Sequence, residues 1–367
     1  MLNFLFQLVP TVIILGILIF IHELGHYLAC IWSGVRVEKF SIGFGPELFK
    51  WQRNGTVYAL SAIPFGGFVK PSGESFAELE GNLPKQGDFL AASKPKRFLI
   101  LIAGIGMNYI LAILLLIAVF WGGHPVLKAK VGGFVKDFPA EASGLKIGDE
   151  IKELNGRAVQ NWQHMTMLIF ENKNPDFNLK VVRDGEELNL TVQAKPTEST
   201  DETGKRRKIS RMGISPANEY MTERFNFSDS VKYSLLTTVN LSWMTYKSLW
   251  YVVTGQMSAK SLSGPIGIMV MTGQAAKSGM SALLQLTALI SISLAVINLL
   301  PIPALDGGHI FFLLLGVIMR KEVSPKIQDR MTQVGFAFLM ALMVFVIFND
   351  LNNIGIVQKV SSLFQRT

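Results

Sequence analysis

The sequence predicts a polytopic α-helical membrane protein with four transmembrane helices and one inserted extracytoplasmic α+β domain. Three observations carry this prediction. Of 367 residues, 49% are hydrophobic and only 17% charged, which is too apolar for a soluble chain of this length. Residues 98–121, 280–305 and 331–348 contain no charged side chain, and each is near or beyond the roughly 20 residues that cross a bilayer as a helix. Residues 122–230, by contrast, hold 16 basic and 16 acidic side chains, the composition of a neutral soluble module.

The elements follow in order. Residues 1–31 form the first span, apolar until His22, Glu23 and His26. A bilayer-embedded helix does not tolerate such groups without compensation. Residues 1–10 carry no Lys or Arg, so a cleaved signal peptide is not expected. Residues 32–97 are a cytoplasmic loop, 98–121 the second span and 122–225 the extracytoplasmic domain. Residues 226–279 connect to the third span at 280–306. Residues 307–330 return through the cytoplasm to a fourth span at 331–350, and 351–367 form a tail. Segments 32–97 and 320–330 hold nine and four Lys/Arg residues, and the positive-inside rule makes their shared face cytoplasmic. The net charge of +8 is spread over these membrane-adjacent segments rather than gathered on a soluble module, so nucleic acid is not an expected partner.

Residues 231–253 are a special case, because Lys232, Lys247 and several Ser, Thr and Asn residues interrupt an apolar stretch. Leu236, Val239, Trp243, Tyr246, Trp250 and Val253 recur every three or four residues, which draws one apolar stripe along a helix. The spacing predicts an amphipathic helix on the membrane surface, with a fifth crossing as the alternative.

His22-Glu23-Leu24-Gly25-His26 is an HExxH motif. On a helix, the two histidines at i and i+4 project from one face and can grip one zinc ion, and Glu23 beside them can act on the attacking water. The chain's one cysteine, Cys30, excludes a disulfide framework and a zinc site of paired cysteines. Catalytic zinc usually takes three protein ligands and keeps one open position. The third comes from Asn298-Leu-Leu-Pro301-Ile-Pro303-Ala-Leu305-Asp306-Gly307-Gly308-His309. There two prolines break the helix, and irregular backbone at membrane depth is tolerated only where protein or water covers it. Asp306 is the first candidate, with His309 one turn further on as its competitor. The first and third spans run in the same direction if residues 231–253 do not cross, which puts HELGH and Asp306 at one depth. His124 and His164 have no neighbouring ligand pattern.

HELGH together with NLLPIPALDGGH resembles the site-2 protease family of intramembrane zinc metalloproteases (peptidase family M50), specifically its bacterial RseP-type branch. Ser41-Ile-Gly43-Phe-Gly45-Pro46, Ile63-Pro64-Phe-Gly66-Gly67-Phe68-Val-Lys70 and Ser263-Gly264-Pro265-Ile266-Gly267 fit the same branch. The resemblance implies that His22, His26 and Asp306 bind one Zn2+ per chain and that Glu23 is the general base. It implies that Asn298 positions substrate. Membrane-associated β-hairpins around residues 40–70 would hold an extended substrate beside the metal, through Gly43, Gly45, Gly66, Gly67 and Phe68. A peptide bond in a helix cannot be attacked, so a transmembrane substrate must unwind and recover backbone hydrogen bonds from an edge strand; segments 40–45 and 63–69 are the candidate edges. Ile105, in Ala103-Gly104-Ile105-Gly106-Met107-Asn108, stands where relatives often have Pro.

In the central module, β-like runs at 129–135, 178–183 and 187–194 alternate with a helix-like stretch near 162–171, and Asp184-Gly185 reads as a hairpin turn. Residues 142–156 are similar to the corresponding stretch of a PDZ domain, with room for one copy. Residues 196–210 are polar and read as a mobile loop.

The expected activity is therefore hydrolysis of peptide bonds within or near the transmembrane segment of single-span proteins, such as an anti-sigma factor or a remnant signal peptide. The bacterial inner membrane is the expected location, with the active site near the cytoplasmic side and peptide termini as ligands of the PDZ domain. A zinc-containing scaffold without catalysis, or a PDZ adaptor, is the alternative.

Overall fold

Near-continuous apolar sequence produces a 32-residue first helix, α1 (Leu2–Ser33), whose polar group of His22, Glu23 and His26 sits in its last third. Two long strands follow, β1 (Val37–Arg53) and β2 (Thr56–Pro71), and then α2 (Lys94–Gly122). This computed structural model describes residues 2–74, 83–172, 174–200, 206–258 and 263–353. The chain divides into two units, 1–119 with 227–367 and the inserted 120–226.

The two strands fold back on each other. Residues 49–53 pair with 56–60 across the turn at Asn54-Gly55, while residues 39–42 pair with 57–60 on one side and with 67–70 on the other. The order across the sheet is thus 47–53, 56–61, 37–44, 67–71. Segment 40–45, one of the two expected edges, is interior over residues 40–42, because its backbone groups are already divided between two neighbours. The available edge is 67–71. Gly43 and Gly45 have φ of +87° and +86°, a conformation that favours glycine, and lie where β1 leaves one pairing register for another.

The inserted unit begins with β3 (His124–Leu127), β4 (Val131–Phe134), β5 (Glu150–Leu154) and β6 (Arg157–Ala158). It continues through α3 (Trp162–Glu171), β7 (Asp176–Arg183) and β8 (Glu186–Gln193) to β9 (Lys195–Thr200), β10 (Arg206–Arg211), β11 (Ile214–Pro216) and β12 (Tyr220–Glu223). A four-stranded sheet runs β6-β5-β7-β8, and its apolar face buries Ile151, Leu154, Phe177, Leu179, Val181 and Val192 against Met165 and Leu168 of α3. Asp184 and Gly185 have φ of +51° and +89°, the primed turn that matches strand twist. The polar tract expected to be a loop is instead a ladder, β9 paired with β10 from Lys195↔Arg211 to Thr200↔Arg206; its residues 201–205 lie outside the described residues. Cross-strand hydrogen bonds hold these strands without the apolar alternation that reveals a strand in sequence.

The second half of the larger unit comprises α4 (Phe227–Val253), α5 (Pro265–Ser278), α6 (Met280–Leu299), α7 (Asp306–Ile318) and α8 (Pro325–Asn353). Among the described residues, α1, α2, α6 and α8 are long and apolar enough to cross a membrane. Residues 307–330, expected as a connection, hold the 13-residue apolar helix α7. The third span is therefore a helix broken at 300–305 and continued by α7. Its end lies level with the end of α1 and the start of α2, because Lys94 Nζ donates to Gly316 O and Lys96 Nζ to Ser33 O. On α4 the stripe residues Leu236, Val239, Trp243, Tyr246, Trp250 and Val253 are all exposed, and Ser230, Ser234 and Thr238 are the buried face. The helix turns Ser230, Ser234, Thr238 and Tyr251 toward protein and its apolar stripe outward.

Candidate metal centre

Helical periodicity puts His22 and His26 on one face of α1, with ring centroids 4.8 Å apart. Asp306 reaches them from the first turn of α7, where the positive end of the helix favours a carboxylate. His22 Nε2 lies 3.1 Å and His26 Nε2 3.4 Å from Asp306 Oδ2, and the two Nε2 atoms are 3.2 Å apart. Ligands held tetrahedrally about 2.0–2.1 Å from one zinc ion stand about 3.3–3.4 Å from each other. Asp306 Oδ2 is buried and has no hydrogen-bond partner, although two imidazoles face it. The three atoms converge on a shared point rather than on one another, so the residues fit a zinc ion. Among the described residues this is the one group of three or more His, Cys, Asp or Glu side chains so arranged.

The break at 300–305 is what brings Asp306 inward. Pro301 and Pro303 donate nothing, and tight turns from Ile302 N–H to Leu300 O and from Ala304 N–H to Ile302 O fold the chain back. Side chains at Gly307 or Gly308 would collide with the carbonyls of Leu299, Leu300 and Ile302, and one at Gly335 of α8 with the carbonyl of Pro303. Glycine at these positions lets the break close upon itself.

Outer contacts fix the rings. His26 Nδ1 meets the Ile100 carbonyl at 2.8 Å, which leaves Nε2 to face the centre. His22 Nδ1 lies 3.4 Å from the side-chain amide of Asn108. Gly104 of α2 packs directly on the His26 ring and Gly25 of α1 on the Ala103 backbone and the Met107 side chain, so each helix approaches the other closely where it carries a glycine. Sequence reasoning assigned no role to Asn108, Gly104 or the Ile100 carbonyl.

Glu23 turns from the metal ligands toward the sheet, where its Oε2 accepts the Val69 N–H at 3.0 Å. The free edge 67–71 therefore runs beside the centre. A cavity of about 150 Å³ contains His22, Glu23, His26, Asp306, Phe68 and Val69 in its walls. A larger cavity, about 520 Å³, shares Glu74, Phe89, Leu101 and His309 with it and extends along α7 and the start of α8. Lys94, Arg97, Glu322 and Asp329 are among the residues that line this second space. By the 1.5 Å rise of a helix, His26 and His22 lie about 10 to 16 Å inward from Ser33 along α1.

The remaining expected residues fall as follows. His309 lines both cavities but is not in the converging group. Phe68 lines the inner cavity and stacks on Phe44, centroids 6.3 Å apart. Gly67 backs onto Ile19 and Glu23, and Gly66 (φ +120°) leaves room for the Phe44 ring. Gly43 and Gly45 shape β1 and line neither cavity. Asn298 is half-buried in the last turn of α6 and is not in the cavity walls.

Comparison with known proteins agrees with this chemistry. Residues 10–342 match the family model described as peptidase family M50. A protein of Rhizobium meliloti, named provisionally as a zinc metalloprotease, is 33% identical over 94% of this chain and 96% of its own. One from Clostridium perfringens, named in the same way, is 36% identical over 91% of this chain and 95% of its own. The zinc metalloprotease RasP of Oceanobacillus iheyensis is 29% identical over 94% of this chain and 99% of its own.

Proposed function

Because the chain belongs to peptidase family M50, we propose that His22, His26 and Asp306 hold the zinc ion with which it cuts single-span membrane proteins within or near their transmembrane segments. A member of this family is a zinc metalloprotease, a hydrolase with Zn2+ as its cofactor, and its long apolar helices make this chain a multi-pass membrane protein. The finer reading is an RseP-type enzyme of the bacterial inner membrane, with its centre nearer the cytoplasmic side. The observation that carries the zinc-protease reading is the convergence of His22, His26 and Asp306 at zinc-ligand spacing with Glu23 and a strand edge beside them.

When bound, zinc polarises the scissile carbonyl and lowers the pKa of water. Glu23, the acidic side chain adjacent to the ligands, takes the proton of the attacking water and passes it to the leaving amine. Along the edge 67–71, the backbone groups other than the Val69 N–H, which Glu23 accepts, would add an unwound substrate segment as a further strand and restore part of the hydrogen bonding it lost on leaving its helix. Asn298 would contribute to holding that segment. Substrates of this class are anti-sigma factors already shortened outside the membrane and remnant signal peptides.

In the inserted unit, a groove of about 350 Å³ lies between α3 and residues 210–214, with Met165, Ile169, Phe170, Met212 and Ile214 in its walls. An apolar groove between a helix and a strand supports the reading of this unit as an extracytoplasmic PDZ domain that takes a chain terminus.

Mass spectrometry of membrane peptides tests the proposal. Cells in which Glu23→Gln replaces the wild type should accumulate single-span fragments that the wild type removes, and an unchanged peptide profile overturns it.

A further inference from the structure

Resting on the ligand set proposed above, the geometry points to Asn108 as a positioning residue for zinc, whose side-chain oxygen accepts the Nδ1 proton of His22 when the metal is bound. A histidine coordinating through Nε2 carries its proton on Nδ1, and that proton needs an acceptor. For His26 the acceptor is the Ile100 carbonyl, 2.8 Å away. For His22 the neighbour is the Asn108 amide at 3.4 Å, turned so that Nδ2 faces the ring. That orientation suits a His22 whose Nδ1 accepts and whose Nε2 bears the proton, the tautomer that has no Nε2 lone pair to offer the centre. The other end of the same amide, Asn108 Oδ1, is buried and has no hydrogen-bond partner. Rotating the amide by half a turn presents Oδ1 to Nδ1–H and frees the Nε2 lone pair for the centre.

The surroundings hold Asn108 in place for this role. The residue is 1% exposed, and its backbone carbonyl accepts the Ser291 hydroxyl of α6 at 2.8 Å. The amide thus sits at a fixed point between α1, α2 and α6 with rotation as its remaining freedom. Of the two ligand imidazoles, one is oriented by a carbonyl that cannot reverse and the other by an amide that can.

The test compares Asn108→Asp, which keeps the acceptor, with Asn108→Leu, which keeps the approximate volume and loses it. Zinc affinity of the purified full chain is read by competition with a chromogenic chelator. The Ser291 contact, made to the backbone, survives both changes. Loss of an outer hydrogen bond to a metal-ligating histidine weakens binding roughly 10- to 100-fold, and N108L should fall in that range while N108D stays within a few-fold of the wild type. Wild-type affinity in N108L, or equal weakness in both variants, overturns the role. If N108L does not fold, N108D alone decides: affinity near wild type supports the role and a 10-fold loss overturns it. His22→Ala is the control for the underlying ligand set; unchanged zinc binding there defeats the set itself and not the Asn108 contact.

Discussion

Gly104 of α2 lies so close to His26 that a β-carbon on it would overlap the imidazole at Nε2, Cε1 and Cδ2. The metal ligand occupies the volume that any other residue would fill. Gly104→Ala adds one methyl to a contact with no slack, and overpacking of this kind costs about 1–3 kcal/mol. If the ring is what yields, zinc binding weakens about 10- to 100-fold. Zinc titration of the variant, with helix content followed by circular dichroism, checks that the loss is local.

Val69→Pro tests the contact between the sheet edge and Glu23. Proline removes the N–H that Glu23 Oε2 accepts at 3.0 Å. A hydrogen bond to a charged group contributes about 1.5–3 kcal/mol, so cleavage of a membrane peptide should fall about 10- to 100-fold. Because Val69 offers no side-chain ligand atom and is not in the converging group, zinc content should stay at the wild-type level.

Asp350 of α8, 4% exposed, receives the backbone N–H groups of Gly264, Ile266 and Gly267 at 2.9 to 3.1 Å. It caps α5 from across the unit. Asp350→Ala leaves three donors without their acceptor, and each buried orphan costs about 1–3 kcal/mol. Thermal unfolding in detergent should show a marked drop in midpoint, and Asp350→Asn, which keeps one acceptor oxygen, should fall less.

In the inserted unit, Arg183 grips the buried Asp149 carboxylate through Nε and Nη2 at 2.7 and 2.8 Å, and the Lys146 N–H adds a third bond at 2.8 Å. Burial pushes the Asp149 pKa up, but these partners outweigh it and hold the group below the usual carboxylate range. A lowered folded pKa means stability that is fully present above the ordinary aspartate value and is lost as pH falls through the folded value. Arg183→Leu should therefore destabilise the unit by about 3 kcal/mol near neutral pH, since it strands a buried charge. The gap between variant and wild type in urea unfolding should close as pH falls through the lowered Asp149 value.

The spans and the HELGH face were legible because charge-free runs and a 3.6-residue period are local properties. Hairpin β7–β8 was legible for the same reason, through alternation and Asp184-Gly185. Tertiary relations were not. Nothing near Asn108 or Gly104 in sequence says which helix crosses there, and residues 39–42 gain neighbours on both sides only because β1 and β2 each fold back with a change of register. For α4, periodicity drew the stripe but could not say which side met protein, and the stripe proves to be the exposed side. Helix α7 was hidden because two prolines suggested an end where the chain only bends.

The most direct measurement pairs zinc content with cleavage on the same purified samples. The wild type should carry one zinc and cut a single-span reporter, Glu23→Gln should carry one zinc and cut about 10²- to 10⁴-fold more slowly, and Asp306→Ala should carry little zinc and cut nothing. Cleavage at the wild-type rate by zinc-loaded Glu23→Gln, or full zinc in Asp306→Ala, would contradict the account.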